Sequence, residues 1–136
     1  GIFQMPCPEM FCLGLDRGNP NGYQFPIVEE NSRIRVAMSD EKNLNMLNSI
    51  ANDLVRQVLD YQKNNFDVIG IIGVNRSPTC GIETTSKDNQ EMEGRGVFME
   101  LFLEKLKENG IDLPVVGIKA SEPQKAVESV RNVLNL

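Results

Sequence analysis

The stretch Val68-Ile-Gly-Ile-Ile-Gly-Val74 is a short apolar run rich in β-branched residues, and the turn Asn75-Arg-Ser-Pro-Thr-Cys-Gly81 follows it directly. A run of this length and composition is typical of a strand that is buried in a parallel sheet. The turn therefore leaves the sheet at the carboxyl end of a strand, where open α/β folds bind their ligands. This stretch indicates the fold class and places Cys80 at a candidate site.

Two other apolar runs predict strands on either side of this one, at residues 2–6 and 113–118. Amphipathic spacing predicts the helices between and after them. The first helix begins at the cap Ser39-Asp40-Glu41 and ends near Asn64-Asn65. The second begins after Gly94-Arg95-Gly96 and ends at Gly110, and the third begins after Ser121-Glu122-Pro123 and ends near Leu134. The order βαβαβα predicts an α/β fold: a three-layer, mostly parallel open sheet, Rossmann-like or flavodoxin-like, with helices on both faces.

The length of 136 residues predicts a single α/β domain. Residues 8–38 show no clear periodicity and are rich in Gly and Pro, so we expect a long irregular loop there, either a lid or a disordered segment. The first residues, Gly1-Ile2-Phe3, begin inside an apolar run without a preceding Met. We therefore expect the chain to be the C-terminal part of a longer protein.

Composition excludes several functions. The net charge of −5 and the lack of a basic cluster argue against a polymeric nucleic acid partner. No apolar run is long enough to span a bilayer, and three cysteines without a disulfide pattern predict reduced thiols, so we expect a cytoplasmic protein. Histidine is absent, which rules out His-based zinc sites and Ser-His-Asp triads in this chain.

Cysteine placement suggests a metal or a cluster. Cys7 and Cys80 both follow an apolar run and lie among Pro and Gly residues, so two strand exits would bring their thiols to one sheet edge. The chain has one other thiol, Cys12, five residues after Cys7. Since free Cys is often a small buried apolar residue, that simpler interpretation stays open for all three.

Other candidate site residues lie close to these thiols. Glu9 could act as a general acid or base and Ser77 as a hydrogen-bond donor, although Glu9 could also be a solvated carboxylate and Ser77 a turn former. The turn Gly94-Arg95-Gly96 could bind an anion through its N–H groups and the helix dipole, and Arg76 could contact a small molecule. Ordinary surface arginines are the alternative for Arg76 and Arg95.

The segments Cys7-Pro-Glu9 and Ser77-Pro-Thr-Cys-Gly81 resemble the Cys-Pro-Glu and Ser-Pro-Ser-Cys-Gly signatures of the thiouracil desulfidase-like iron–sulfur family. Leu13-Gly-Leu15 with Arg17, and Glu93-Gly-Arg-Gly-Val-Phe98 at the start of a helix, extend this resemblance over nearly the whole chain. The match is to a divergent branch of that family.

The resemblance implies a 4Fe-4S cluster held by three cysteines, with a fourth iron that takes up the sulfur of a thiolated nucleobase. Carried onto this chain, it makes Cys7 and Cys80 ligands and Glu9 and Ser77 the catalytic pair. The family's first cluster cysteine has no counterpart here, so the third ligand would be a cysteine in a missing upstream segment, which we favour, or Cys12. Thr79 replaces the second Ser of the motif and keeps the hydroxyl.

These observations predict a desulfidase that acts on a small thiolated compound, such as a thiouracil-like nucleobase, and releases sulfide without net redox chemistry. Two alternatives remain open. The chain could be a non-catalytic α/β binding or regulatory domain that has lost the cluster, or it could bind zinc with the same thiols. A homodimer is a further expectation, and the sequence defines neither the exact substrate nor the fate of the sulfide.

Overall fold

The computed structural model describes residues 1–136 and contains five α-helices and four short β-strands. In chain order these are α1 (Pro8–Leu13), α2 (Ile27–Met38), α3 (Glu41–Lys63), β1 (Ile71–Val74), β2 (Thr84–Lys87), β3 (Gln90–Glu93), α4 (Val97–Glu108), β4 (Val115–Ile118) and α5 (Pro123–Val133). A short 3-10 turn covers Gly22–Gln24. The predicted α/β class is confirmed. None of the five helices combines the length and apolar character that crossing a membrane requires.

Strands β1 and β4 form a parallel pair in which Ile71 lies opposite Val115 and Val74 opposite Ile118. Helix α5 packs against β4, while α3 packs against α4. One face of β1 is buried through Ile71 and Gly73, because that face meets the helical core. The central strand predicted from the apolar run is therefore present, with its carboxyl end at Val74.

The predicted strand at residues 2–6 is wrong, since this segment makes no ladder with β1. The second edge of β1 is used differently: the N–H of Val74 donates to the carbonyl of Cys80 at 2.9 Å. Side chains hold the N-terminal segment instead. The ring of Phe3 meets Tyr61 at a centroid distance of 6.4 Å, and Met5 packs against the core. The sheet is consequently smaller than expected.

The irregular loop predicted over residues 8–38 is also wrong, because that segment contains α1 and α2. Helix α2 buries few apolar residues, Ile34 and Met38 among them, and its polar residues carry much of its packing. The guanidinium of Arg35 donates to Thr85 Oγ1 at 3.0 Å, which ties α2 to the hairpin. Tertiary hydrogen bonds thus stabilise a helix whose apolar periodicity is weak.

The sequence patterns predict no helix or strand between residues 83 and 93. In the structure this polar segment contains the antiparallel hairpin of β2 and β3. Its turn residues Asp88 and Asn89 both have positive φ, at 53° and 61°. This is the geometry of the tight two-residue turns that match strand twist. The Asp-Asn pair was therefore the available signal for this hairpin.

The core lies between α3, α4 and the buried face of the sheet. Helix α3 begins at the predicted cap, where the Asp40 carboxylate accepts the N–H of Asn43 at 2.8 Å. Helix α4 ends before Gly110, which has a φ of 71° as predicted for a left-handed cap. The largest buried apolar side chains are Met38, Leu47, Leu54, Phe98, Met99, Phe102 and Leu106. This core supports the loop that carries Cys80.

Candidate functional site

The Cys80 loop, residues 75–83, is a tight structure closed by its own side chains. The Ser77 Oγ accepts the N–H groups of Thr79 at 3.2 Å and of Cys80 at 2.9 Å. The Asn75 Oδ1 accepts the N–H of Glu83 at 3.0 Å. Short polar side chains that bond the backbone ahead of them are turn formers. Ser77 therefore fixes the position of Cys80, and the turn-former interpretation describes what its oxygen does.

Helix α4 begins directly against this loop. The N–H of Val97 donates to the carbonyl of Pro78 at 2.9 Å, and the N–H of Phe98 donates to that of Thr79 at 3.1 Å. A Cβ on Gly96 would overlap the backbone of Thr79, so only glycine permits this approach. The loop is thus held from both the sheet and the helix.

The predicted anion cradle at Gly94-Arg95-Gly96 has little free capacity. The N–H of Gly94 donates to Glu83, and the N–H of Gly96 donates to Gly81, both at 3.0 Å. The carbonyl of Arg95 accepts from Arg35. With these groups already paired, an anion would have to displace loop hydrogen bonds to bind here. This turn serves to dock α4, and substrate binding by it stays a prediction.

Arg76 follows β1 in the left-handed region, with a φ of 70°. Its charge helps to lower the pKa of Glu91, whose main stabilising partner is the ammonium of Lys119. The backbone carbonyl of Arg76 accepts the hydroxyl of Ser86 at 2.7 Å. These contacts direct Arg76 towards the hairpin, and a role of its side chain in substrate binding stays a prediction.

The three thiols are free and differ in exposure: Cys7 is exposed, while Cys12 and Cys80 are partly buried. Cys7 occupies the cap position of α1, and Cys12 lies on the same helix and packs against the core. Burial, together with the charges of Glu9 and Cys7, raises the pKa of Cys80 to about 12. Burial also raises the pKa of Cys12, with Asp40 and Cys7 acting in the same direction.

The charges of Cys7 and Glu9 both act on Cys80, so the three side chains share one electrostatic environment. The strand-exit argument is wrong for Cys7, because residues 2–6 form no strand. No three side chains among Cys, Asp and Glu are arranged as a metal-binding group in this structure. The site therefore offers neighbouring soft donors without a finished coordination sphere. A buried thiol of high pKa stays protonated unless a cation compensates its charge.

Glu9 lies in the first turn of α1, and its side chain is only 14% exposed. Burial raises the pKa of its carboxyl, while Arg17 and the hydroxyl of Thr79 act to lower it. Opposing influences of this kind keep a carboxyl close to the range where it can exchange protons. The interpretation of Glu9 as a solvated loop carboxylate does not fit its burial.

Thr79 contributes a hydroxyl that is completely buried and has no hydrogen-bond partner in good geometry. A buried polar atom left unpaired costs about 1–3 kcal/mol. Thr79 acts to lower the pKa of Glu9, so this hydroxyl lies near that carboxyl. The residue that replaces the second Ser of the motif thus adds a donor beside the acidic group.

Arg17 is the functional residue that the sequence pattern did not single out for a role. Its Nη2 lies 3.6 Å from the Cys7 Sγ, and its Nε lies 3.6 Å from the Glu9 Oε1. Its Nη1 donates to the carbonyl of Leu15 at 2.8 Å. The available signals were the glycines on either side of this turn, Gly14 and Gly18, and the place of Arg17 in the motif resemblance, which gave it no role.

Comparisons with known proteins give one distant relative and no family. No protein-family model matches the chain, and no solved structure matches it. The chain is 24% identical over 122 residues to an uncharacterized protein of Methanocaldococcus jannaschii, a match that covers 90% of this chain and 64% of that protein. The chain therefore spans less than two thirds of the length of the relative that it matches.

Proposed function

We propose that this chain is an iron–sulfur-dependent desulfidase that hydrolyses the C=S bond of a small thiolated compound. The observation that supports this most strongly is the convergence of two thiols and a buried carboxyl, Cys7, Cys80 and Glu9, beside the carboxyl end of β1. The motif resemblance pointed to the same three residues. The structure adds Arg17 and Thr79 next to them.

The thiols at this site are the kind of side chain that binds an iron–sulfur cluster. Cys7 and Cys80 would hold it, and Cys12 or a cysteine outside these 136 residues would complete three thiolates. Burial favours the neutral thiol at Cys80, and a bound metal centre would supply the positive charge that stabilises its thiolate. A cluster with one open iron supplies a Lewis acid for the sulfur atom of a thiocarbonyl compound.

Proton transfer is the task of this chain's own residues. In the net reaction the oxygen of water forms a bond to the substrate carbon, the C–S bond breaks, and both protons of water end on the released sulfide. Glu9, held out of bulk water, would accept a proton from the attacking water and pass it to the leaving sulfur. The hydroxyl of Thr79 would orient that carboxyl, while Ser77 positions Cys80.

A cofactor-free binding or regulatory domain is the second candidate function. It is favoured by one observation, namely that no three side chains of this chain form a metal-binding group as they stand. A zinc site that uses the same thiols is a third and weaker possibility. Metal content distinguishes the three functions.

The test is anaerobic reconstitution of the full-length protein, including any segment that precedes these 136 residues, with iron and sulfide, followed by counts of iron, acid-labile sulfide and zinc. We expect about four irons per chain in the wild type and loss of the cluster in Cys7→Ser and Cys80→Ser. Cys12→Ser decides the third ligand, because it keeps the cluster if that ligand lies outside these residues and loses it if the ligand is Cys12. Zinc without iron, or no metal in the wild type, would overturn the proposal in favour of the corresponding alternative.

A further inference from the structure

The guanidinium of Arg17 has a side that is not saturated by hydrogen bonds. Its Nη1 donates to the backbone carbonyls of Leu15 and Gly14, at 2.8 and 3.3 Å. Its Nη2 makes a long hydrogen bond to the Cys7 Sγ at 3.6 Å, and its Nε lies 3.6 Å from the Glu9 Oε1. Charge-assisted N–H to carboxylate bonds are normally 2.7–2.9 Å long, so the contact with Glu9 is loose. The Nε–Nη2 side can therefore accept another partner.

The position of this guanidinium is built into the fold. Arg17 has a φ of 57°, a left-handed conformation that costs free energy for a residue with a side chain. Its backbone carbonyl accepts Arg33 Nη2 at 2.7 Å, and Arg33 is itself bonded to Glu30. A strained backbone held by a separate ion pair is typical of a side chain kept in place for binding.

The other charges around Arg17 leave this side open. Asp16, its neighbour, accepts the N–H of Gly18 at 2.9 Å. Glu9 is the one carboxyl that contacts the guanidinium, and it does so at a single oxygen. The side chain of Arg17 is 27% exposed, so a solute can reach it. The positively charged guanidinium of Arg17, which faces the Cys7 thiol, is thus accessible to a ligand.

We propose that Arg17 is a substrate-binding residue that recognises an anionic group, a carboxylate, on a substrate bound beside Cys7. A planar guanidinium binds a carboxylate through two parallel hydrogen bonds, and the Nε–Nη2 side has the geometry for this. The substrate class would then be thiolated compounds that carry a carboxylate near the sulfur. The thiolated part of this statement rests on the proposed function, whereas the anion recognition does not.

The experiment compares the alkylation of Cys7 by iodoacetate and by iodoacetamide in the iron-free protein at low salt. Peptide mass spectrometry assigns the modified cysteine. Both reagents attack through the same thiolate, so the ratio of the two rates is independent of the thiol pKa and reports the charge seen by the reagent. The wild type should favour iodoacetate relative to a model thiol peptide.

In Arg17→Gln the ratio of iodoacetate to iodoacetamide rates should fall at least roughly five-fold, the effect expected for a charge about 4 Å away that acts through bulk water. Glu9→Gln should raise it, because a competing negative charge is removed. Arg56→Gln is the matched control, since Arg56 pairs with Asp53 on the exposed side of α3 and its loss should leave the ratio unchanged. Arg17→Lys, which keeps the charge, should stay close to the wild type.

An unchanged ratio in Arg17→Gln, or an equal fall in Arg56→Gln, would overturn the proposal. If Arg17→Gln does not fold, an unchanged ratio in Glu9→Gln would do the same. No iron is present in this experiment. A failed reconstitution would therefore remove the desulfidase function without affecting the alkylation ratio, and an unchanged ratio would remove the anion site without affecting the cluster.

Discussion

Two arginine–glutamate pairs lie near each other in this protein and differ in geometry. Arg33 and Glu30 form a closed pair, with Nη2 to Oε1 at 2.6 Å and Nε to both carboxylate oxygens at 3.0 and 3.1 Å. Arg17 and Glu9 form an open pair whose one contact is 3.6 Å long. The two carboxyl side chains have similar surface exposures of 15% and 14%, but Glu9 lies deeper in the protein, so burial and geometry both contribute to the difference.

The pKa shifts of the two carboxyls have opposite signs. Hydrogen bonds from Arg33 lower the pKa of Glu30. Burial raises the pKa of Glu9, because the loose contact with Arg17 does not compensate for lost water. The closed pair satisfies its own charges and stabilises a loop, whereas the open pair leaves a proton-exchanging acid and an unsaturated cation beside Cys7. The same two residue types therefore serve structure in one place and, in the proposed function, chemistry in the other.

The largest expected effect concerns the reactivity of the Cys80 thiol, whose pKa is raised in part by the charge of Glu9 in the open pair. With a pKa of about 12, Cys80 should react with iodoacetamide roughly a thousand-fold more slowly at neutral pH than a thiol with the ordinary pKa of about 8.5. Peptide mapping of the iron-free protein measures this rate, and urea-unfolded protein supplies the reference. A native Cys80 that reacts as fast as the unfolded chain would contradict the described burial.

Breaking each pair should have different effects on stability. Arg33→Met removes bonds to Glu30 and to the carbonyl of Arg17, so we expect a loss of about 1.5 kcal/mol in the free energy of unfolding. Arg17→Met should cost under about 0.5 kcal/mol, because its contact with Glu9 is loose and Glu9 can take up a proton. Urea titration followed by circular dichroism measures both. Equal losses would remove the distinction between the two pairs.

The two carboxyls should also give opposite pH dependences. Glu9 has a folded pKa above its ordinary value of 4.5, so the stability that it contributes falls as pH rises from 4.5 through the folded pKa. Glu30 has a folded pKa below 4.5, so its contribution is present above pH 4.5 and is lost as pH falls through the folded pKa.

Relative to the wild type, Glu9→Gln should gain stability as pH rises towards neutral, and Glu30→Gln should lose it. Each difference should be roughly 0.5–1 kcal/mol. Thermal unfolding of the three proteins between about pH 3 and pH 7, at about half-unit steps below pH 5, measures these differences. Parallel curves for the two variants would show that the pKa shifts do not differ in sign.

A third ion pair should make the smallest contribution to the free energy of unfolding. Arg56 and Asp53 lie one turn apart on α3, and both side chains are mostly exposed. Arg56→Gln should change the free energy of unfolding by less than about 0.5 kcal/mol. The same urea titration measures it. A loss as large as that of Arg33→Met would mean that proximity alone, without burial, decides the strength of these pairs.

Strong periodicity made the core elements predictable. Helices α3 and α4, strands β1 and β4, the cap at Asp40 and the turn at Gly110 all follow from local patterns. The placement of Cys80 after β1 followed in the same way. These features depend on neighbouring residues, which the sequence displays directly.

Features that depend on distant contacts were missed. Helix α2 is held by two arginines whose partners are not local in sequence. Arg35 donates to the hydroxyl of Thr85, and Arg33 donates to the backbone carbonyl of Arg17. Residues 2–6 form no strand because the loop of Cys80 takes the available edge of β1. Arg17 lies in a turn and is positioned by a bond from Arg33 of α2, so the sequence offered it only as part of the family resemblance, without a role. The open pair could therefore be recognised only in three dimensions.

The most direct test of the account is sulfide release by the anaerobically reconstituted protein. Thiolated pyrimidines with and without a ring carboxylate would be the substrates, and Glu9→Gln would be compared at equal iron content. We expect the amount of sulfide released to match the amount of thiolated compound lost. The rate of release should be higher for the carboxylated compound and strongly reduced in Glu9→Gln. A fully loaded cluster with intact Cys7 and Cys80 that releases no sulfide from any of these compounds would contradict it.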